Sequence, residues 1–428
     1  MRIILVGLSA VMAIAMSTLV GLMSLPDANA RNPRGFSIPA ANPTGTWYNV
    51  TPGTINLNNS FCSGGNYGTE TVAADTSNPG TLYTLAHCQG IWKSTDYGQT
   101  WNEMSQSGTN GVAAVTGGGG LTVQPNATTG GVPTIYTAFI RNYQQTSIGF
   151  WASTDGGANW TTTNLIPPLP SGRGDVYPPI VDPYAPLHLL MAGHEQAYVL
   201  ESTDGGNTWS AVNLDSGMAA ATTGTAYIFF INTGTAGTPG THSSGGTANT
   251  WLWMAQDTPY GTWRTTNGGT NWTQVNTATH SHGSSTIYQP GTAGVIFLPN
   301  IYGSCSNSIG TYVTCPSGGP SSGNATGLLY SSDYGQTWPT FLGANTEETV
   351  TVATSKNVYT AYGYPIGVGS TSLNFEYAAQ PGTGSWSAPS SPTNPSQGPG
   401  QIAVVNDGTH NILIGAFHNV GLWRYIEP

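Results

Sequence analysis

Ser94-Thr95-Asp96-Tyr97-Gly98-Gln99-Thr100-Trp101 is the stretch that decides the fold, because the chain repeats it. Ser153 to Trp160 reads STDGGANW, Ser202 to Trp209 reads STDGGNTW, Thr265 to Trp272 reads TTNGGTNW and Ser331 to Trp338 reads SSDYGQTW. A short apolar or aromatic run precedes each copy, as in Gly90-Ile91-Trp92 and Gly149-Phe150-Trp151. The pattern predicts strand, tight turn, strand. The side chain of Asp96, Asp155, Asp204, Asn267 or Asp333 can accept backbone N–H groups inside its turn, and glycine supplies the positive φ. The tryptophan ring is expected to pack beneath the turn.

Repeat spacing sets the architecture. The repeat tryptophans stand at 101, 160, 209, 272 and 338, and a degenerate sixth copy ends at Trp386. Each interval accommodates one four-stranded unit with its loops. The last unit is split. Asn411 to Phe417 and Gly421 to Tyr425 read as its second and third strands, and Gly45 to Val50 reads as the outer strand it lacks. The expectation is therefore all-β: a seven-bladed β-propeller of four-stranded antiparallel blades, closed by the N-terminal strand joining the last blade. Closure removes the open edges of such a ring.

The S-x-D-x-G-x-x-W pattern resembles the Asp-box, or BNR repeat, of sialidase-like and xyloglucanase-like β-propellers. In those families the box is a folding element, so the resemblance speaks for fold more than for activity. Sialidases of this kind use an arginine triad. Here only Arg141 and Arg173 are suitably placed, and an R-I-P signature is absent. The phrase from Leu82 to Trp92 is similar to xyloglucanase-like hydrolases, with His87 where that family places a catalytic Asp.

Composition narrows the partners. Only 7% of the 428 residues are charged, against roughly 25% in an average soluble domain. The net charge of −10 argues against nucleic acid or an anionic membrane as partner. The 13 Trp and 21 Tyr supply ample core and argue against disorder. Residues 1–30 read as a secretory signal peptide: an apolar run from Ile3 to Leu22, then Ala28-Asn29-Ala30 as a cleavage site. The run is long enough that an uncleaved anchor stays open. Residues 31–428 then form one secreted domain, expected to be a monomer. Cys62, Cys88, Cys305 and Cys315 allow three pairings, and proximity in sequence favours Cys62–Cys88 and Cys305–Cys315. Neither a metal nor a cofactor is implied.

In a four-stranded meander the turns alternate between two faces. The repeat turns share one face with the first-to-second turns. The other face collects the second-to-third turns and the loops that lead into each blade. That face gathers Glu70, His87, Arg141, Arg173, Asp175, Tyr177, His194, Glu195, Asp257, His282 and His418. Asp75 and Asp182 fall in turns marked by Asn78-Pro79 and Asp182-Pro183 and read as turn residues instead. The blade-three group, with His194 and Glu195 on a short turn opposite Arg173 and Asp175, is the densest. The leading expectation is a glycoside hydrolase acting on an extracellular polysaccharide or glycan, with Glu195 as acid, Asp175 as base or nucleophile and His194 orienting them. Tyr177 and the other residues would contact sugar. One alternative is a non-catalytic propeller that binds carbohydrate or protein. Another is a polysaccharide lyase using His and Tyr.

Overall fold

The computed structural model describes residues 42–58, 67–104, 118–124, 130–140, 149–165, 176–193, 197–220, 226–233, 248–255, 261–276, 287–290, 294–298, 305–308, 311–313, 328–338, 340–342, 350–362, 374–389 and 395–428. All of these but Asn42 lie in one compact unit, Pro43–Pro428. The expected signal segment, residues 1–30, lies outside the described residues. None of the described helices is long and apolar enough to cross a membrane.

An opening strand, β1 (Trp47–Asn49), is followed by four antiparallel meanders in chain order. The first is β2 (Thr69–Ala74), β3 (Leu82–Ala86), β4 (Gly90–Ser94) and β5 (Asn102–Glu103). The second is β6 (Gly118–Gln124), β7 (Thr134–Ile140), β8 (Gly149–Ser153) and β9 (Thr161–Asn164). The third is β10 (Ile180–Val181), β11 (Leu189–Ala192), β12 (Val199–Ser202) and β13 (Ser210–Ala211). A short helix, α1 (Ser216–Ala220), begins where the Asp215 carboxylate accepts the N–H groups of Gly217 and Met218. The fourth meander is β14 (Ala226–Phe230), β15 (Trp251–Ala255), β16 (Gly261–Thr265) and β17 (Thr273–Asn276).

The next sheets are thinner. β18 (Ile296–Leu298) pairs with β21 (Leu328–Ser331), which pairs with β22 (Thr340–Leu342). Between them, β19 (Cys305–Ser308) and β20 (Thr311–Val313) form a separate hairpin. Then come β23 (Val350–Ala353), β24 (Asn357–Tyr362) and β25 (Asn374–Ala379). Finally β26 (Gln401–Asn406), β27 (Asn411–Ala416) and β28 (Leu422–Ile426) take β1 as their fourth strand. The pairs are Trp47 with Tyr425, Tyr48 with Arg424 and Asn49 with Trp423.

Seven complete four-stranded blades were expected, and the named strands of two sheets fall short of four. A single bridge, Tyr288 to Phe297, stands where the β18 sheet would have its first strand. In the β23 sheet the outer strand shrinks to the bridge between Tyr377 and Ser387. The second case has a local cause. Residues 380–386 carry no Ser-x-Asp pair to brace the turn that would launch a fourth strand.

The five intact repeats explain why the other outer strands form. In the first, Ser94 Oγ donates to Asp96 Oδ1 at 2.8 Å and accepts the Gly98 N–H at 2.9 Å. Asp96 in turn accepts the Thr100 N–H at 2.9 Å and the Thr100 hydroxyl at 2.6 Å. Asp155, Asp204 and Asp333 repeat this network, and Asn267 repeats its backbone part. A carboxylate holding two or three donors stays ionised. The Asn159 N–H, with its side chain, holds Asp155 down to about 2. The fourth residue of the turn docks on the first-to-second turn of its own sheet: Tyr97 N–H on Gly80 O, Gly205 N–H on Leu187 O, Tyr334 N–H on Gly294 O. The repeat turns and first-to-second turns therefore share one end of each blade.

Side-chain size is matched across that dock. Tyr97 and Tyr334 lie against Gly80 and Gly294, whereas Gly156 and Gly205 lie against Val132 and Leu187. The two tyrosine-bearing turns also receive an arginine from the neighbouring sheet. Arg424 Nε donates to Tyr97 O at 3.0 Å and Arg264 Nε to Tyr334 O at 2.8 Å. These arginines serve the packing of neighbouring sheets. The indoles are less uniform. Trp160 and Trp209 donate to Gly157 and Gly206 within their turns, but Trp272 donates to Asn213 instead.

Apolar side chains meet between sheets. Leu82, Trp92 and Trp101 pack with Ile412, Ile414 and Leu422, so the first and last sheets share one core. Trp47 is fully buried among Phe375, Phe417 and Tyr425.

Candidate functional site

The chain has 19 acidic residues, and the described structure consumes many of them. The four repeat aspartates are saturated by their own turns. Asp75 accepts from Ser77 and Asn78, and Asp407 from the N–H groups of Thr409 and His410. Both are turn residues. Asp215 caps α1. Glu427, almost fully buried, accepts from Thr354, Asn357, Tyr359 and Asn411. Burial pushes its carboxyl up, but these four donors outweigh burial and hold it below the ordinary range.

Asp182 and Glu201 bracket a histidine that the sequence did not single out. His188 Nδ1 lies 2.6 Å from Asp182 Oδ2 and Nε2 lies 2.9 Å from Glu201 Oε1. Asp182 also accepts the N–H of Ala248, which leads into β15. Burial pushes the imidazole down, but hydrogen bonds to both carboxylates and their charge raise it to about 9. The ring is an imidazolium tying the third sheet to the fourth. It lies between β10 and β11, at the end of the blade that holds the repeat turn.

Glu70, His87 and His418 meet at the opposite end, where the first and last sheets adjoin. His87 follows β3. Its N–H donates to Gly68 O, its Nδ1 accepts the Tyr67 N–H at 3.0 Å, and the Tyr67 ring stacks on it at 5.2 Å. A neutral His87 therefore carries its proton on Nε2. Cys88, next in the turn, is disulfide-bonded and sits at φ 60°. Its expected partner, Cys62, lies outside the described residues. So does Cys315, and of Cys305 only the strand position is described.

His418 sits in the β27–β28 turn with φ 51°, a left-handed region that few residues other than glycine adopt. Two backbone bonds pin it to β2: His418 N–H to Thr69 O at 2.6 Å and Thr69 N–H to His418 O at 3.1 Å. The next residue, Glu70, is the extra residue of a β-bulge, since Thr69 and Thr71 face consecutive partners Ala86 and Leu85. Glycines allow this close approach. A Cβ on Gly68 would lie 2.2 Å from His418 O, and one on Gly400 would lie 2.3 Å from Glu70 O. Glu70 Oε1 stands 3.9 Å from His418 Nδ1. That separation would favour an ion pair if the ring were charged, but it exceeds hydrogen-bond reach, and burial dominates by pushing His418 down to about 3. The imidazole is neutral.

Tyr177 is placed differently from its companions. Its ring is 4% exposed and lies against Tyr227, with centroids 4.3 Å apart, in the core between the fourth and fifth sheets. Asp175, His194, Glu195, Arg141, Arg173, Asp257 and His282 lie outside the described residues. Among the described residues, no group of three or more His, Cys, Asp or Glu side chains is arranged to hold a metal ion.

No protein-family model matches the sequence, and no curated protein matches it. By structure, the chain is similar to the GH74 xyloglucanase from Xanthomonas campestris, with TM-score 0.57 and 13% identity over 89% of this chain and 53% of that one. It is similar to an ancestral GH74 enzyme, with TM-score 0.52 and 14% identity over 87% and 45% of the two chains. It is also similar to YCF48 bound to D1 peptide, with TM-score 0.50 and 14% identity over 92% and 100%. The chain thus spans about half the length of the GH74 enzymes it matches. At such identities the likeness speaks for the fold alone, and that fold is an all-β propeller of four-stranded antiparallel blades.

Proposed function

We propose that this chain is a secreted carbohydrate-active propeller, a glycoside hydrolase acting on a polysaccharide or glycan outside the cell. The observation that carries the reading is the sorting of acids. Asp75, Asp96, Asp155, Asp182, Asp204, Asp215, Asp333, Asp407, Glu201 and Glu427 are all engaged in turns, caps or contacts between strands and sheets. Among the other acids, the candidates by their place in the sequence are Glu70, Asp175, Glu195 and Asp257, on the face expected to hold the second-to-third turns and the loops leading into the blades. A hydrolase needs two carboxyls there, one protonated and one ionised. Glu195 is the acid and Asp175 the base or nucleophile, with His194 orienting them. Glu70, His87, Arg141, Arg173, Asp257, His282 and His418 surround the substrate.

Finer features of the fold belong to the same proposal. The repeat turns are Asp-boxes. The five four-stranded and two three-stranded sheets are seven blades, closed into a ring by β1. The disulfides are Cys62–Cys88 and Cys305–Cys315. The lyase alternative is weakened by the small number of bases, nine in the whole sequence, and by the engagement of the described ones. Of the described bases, Arg264, Arg424 and Lys356 donate to backbone carbonyls, and Lys93 lies over the Tyr83 ring.

One observation favours a second reading. YCF48, matched over its whole length, is a protein captured with a bound peptide. Binding of a peptide or glycan is therefore the second use considered for this chain. The test is a broad panel of neutral and acidic polysaccharides. Glu195→Gln and Asp175→Asn are expected to keep the fold and abolish turnover on whichever glycan the parent protein cleaves. Saturable binding without cleavage by the parent protein refutes the hydrolase reading and supports the binding one.

A further inference from the structure

His418, placed above among the residues around the substrate, presents a puzzle that the acid and base roles do not explain. Its Nδ1 is buried and has no hydrogen-bond partner, a costly state for a ring nitrogen. The turn that holds it is rigid and strained. Two backbone bonds, a glycine on each side of the contact and a left-handed φ fix its position relative to the bulge at Glu70. Strain of this kind collects at ligand clamps. The Glu70 side chain, 16% exposed against 6% for His418, gives the pair its opening to solvent.

We infer that Glu70 and His418 form a subsite for one hydroxyl group of a neutral ligand. For a ligand oxygen to sit between His418 Nδ1 and Glu70 Oε1, side chains around the pair must shift, because Nδ1 is closed to solvent in this structure. That oxygen accepts from the imidazole N–H and donates to the carboxylate. The 3.9 Å gap is too wide for the two groups to bond each other, and it suits an oxygen placed about 2.8 Å from each. A cation would draw the carboxylate but meet an imidazole that can bond it only by giving up its Nδ1 proton. An anion would meet the carboxylate. A hydroxyl is both acceptor and donor and satisfies the two together. Burial holds the imidazole well below its ordinary value, so the ring is neutral near neutral pH and recognition rests on hydrogen bonds rather than on a charged histidine. The inference rests on the carbohydrate reading for the identity of the ligand, since sugars are the common neutral polyhydroxylated ligands outside the cell.

The test uses the full chain labelled with ¹⁵N in histidine. D-glucose, D-xylose and D-galactose are added separately, with calcium chloride and galacturonate as contrasts. At least one neutral sugar is expected to shift the His418 Nδ1 resonance saturably. Glu70→Gln should weaken that response about tenfold, the loss of one charge-assisted hydrogen bond. His418→Asn is the second variant, because asparagine tolerates a left-handed φ. It should keep the near-UV dichroism of the parent and lose the saturation-transfer signal of the bound sugar. A His418 resonance unmoved by every sugar, or moved only by calcium or galacturonate, overturns the inference. Failure of the hydrolase reading is separate: the His418 response would persist in a protein that cleaves nothing, and in the Asp175→Asn variant.

Discussion

Replacing His188 with glutamine removes a buried charge held between two carboxylates, and its effect on stability should depend steeply on pH. Raising an imidazole from its ordinary value of 6.5 to about 9 corresponds to about 3 kcal/mol, at about 1.4 kcal/mol per pH unit. The sign follows from proton binding. The folded protein holds the proton through the window in which the unfolded chain has released it. The contribution is therefore complete below about pH 6.5 and disappears as pH rises through about 9. The assay is urea denaturation of parent and His188→Gln proteins at intervals from about pH 6 to about pH 10. The parent should be the more stable by about 3 kcal/mol at the acid end, and the difference should narrow towards the alkaline end. Because Asp182 also anchors Ala248, part of the loss should appear as loosening between the third and fourth sheets, read by amide exchange at β15. A difference that stays flat, or grows with pH, would refute the claim that His188 is an imidazolium.

Two further outcomes are expected. Asp155→Ala removes the acceptor of the Asn159 N–H at 2.8 Å in an exposed turn, and should cost about 1–2 kcal/mol of stability while leaving any glycan turnover intact; loss of turnover at unchanged melting would make the turn part of the site. An experimental map should count seven blades, and non-reducing peptide mapping should recover Cys62–Cys88 and Cys305–Cys315; six or eight blades, crossed pairs or free thiols would each contradict the proposal.

The sequence made the repeat turns legible because their chemistry is local. Ser94, Asp96, Gly98 and Thr100 satisfy one another within a few residues, so the motif alone implies the network. The pairing of Trp47 with the strand around Trp423 was also readable, since a split repeat leaves a gap of known shape. What resisted reading depends on distant neighbours. His188 owes its charge partly to Glu201 on another strand, and nothing in the stretch around it signals that. Tyr177 looks the same in sequence whether its ring faces solvent or, as here, Tyr227. The Glu70–His418 pair joins residues from opposite ends of the chain, brought together by a bulge and two glycines whose meaning is visible only in space.

The pairing of β1 with β28 has a consequence for the order in which the molecule assembles. Thr51 bonds Leu422 across 371 residues of chain, and closing a loop that long costs about 3 kcal/mol more entropy than closing one of ten residues, at about 0.6 kcal/mol per doubling. This contact is among the most remote in sequence, so its enclosing loop gains from waiting until the intervening sheets have already shortened it. Full burial of Trp47 against three aromatic rings offsets the deficit once the strand arrives. The seam is therefore expected to be among the last parts to zip shut during folding. A pull on the segment ahead of Trp47 would peel β1 away from β28 before the inner strands yield.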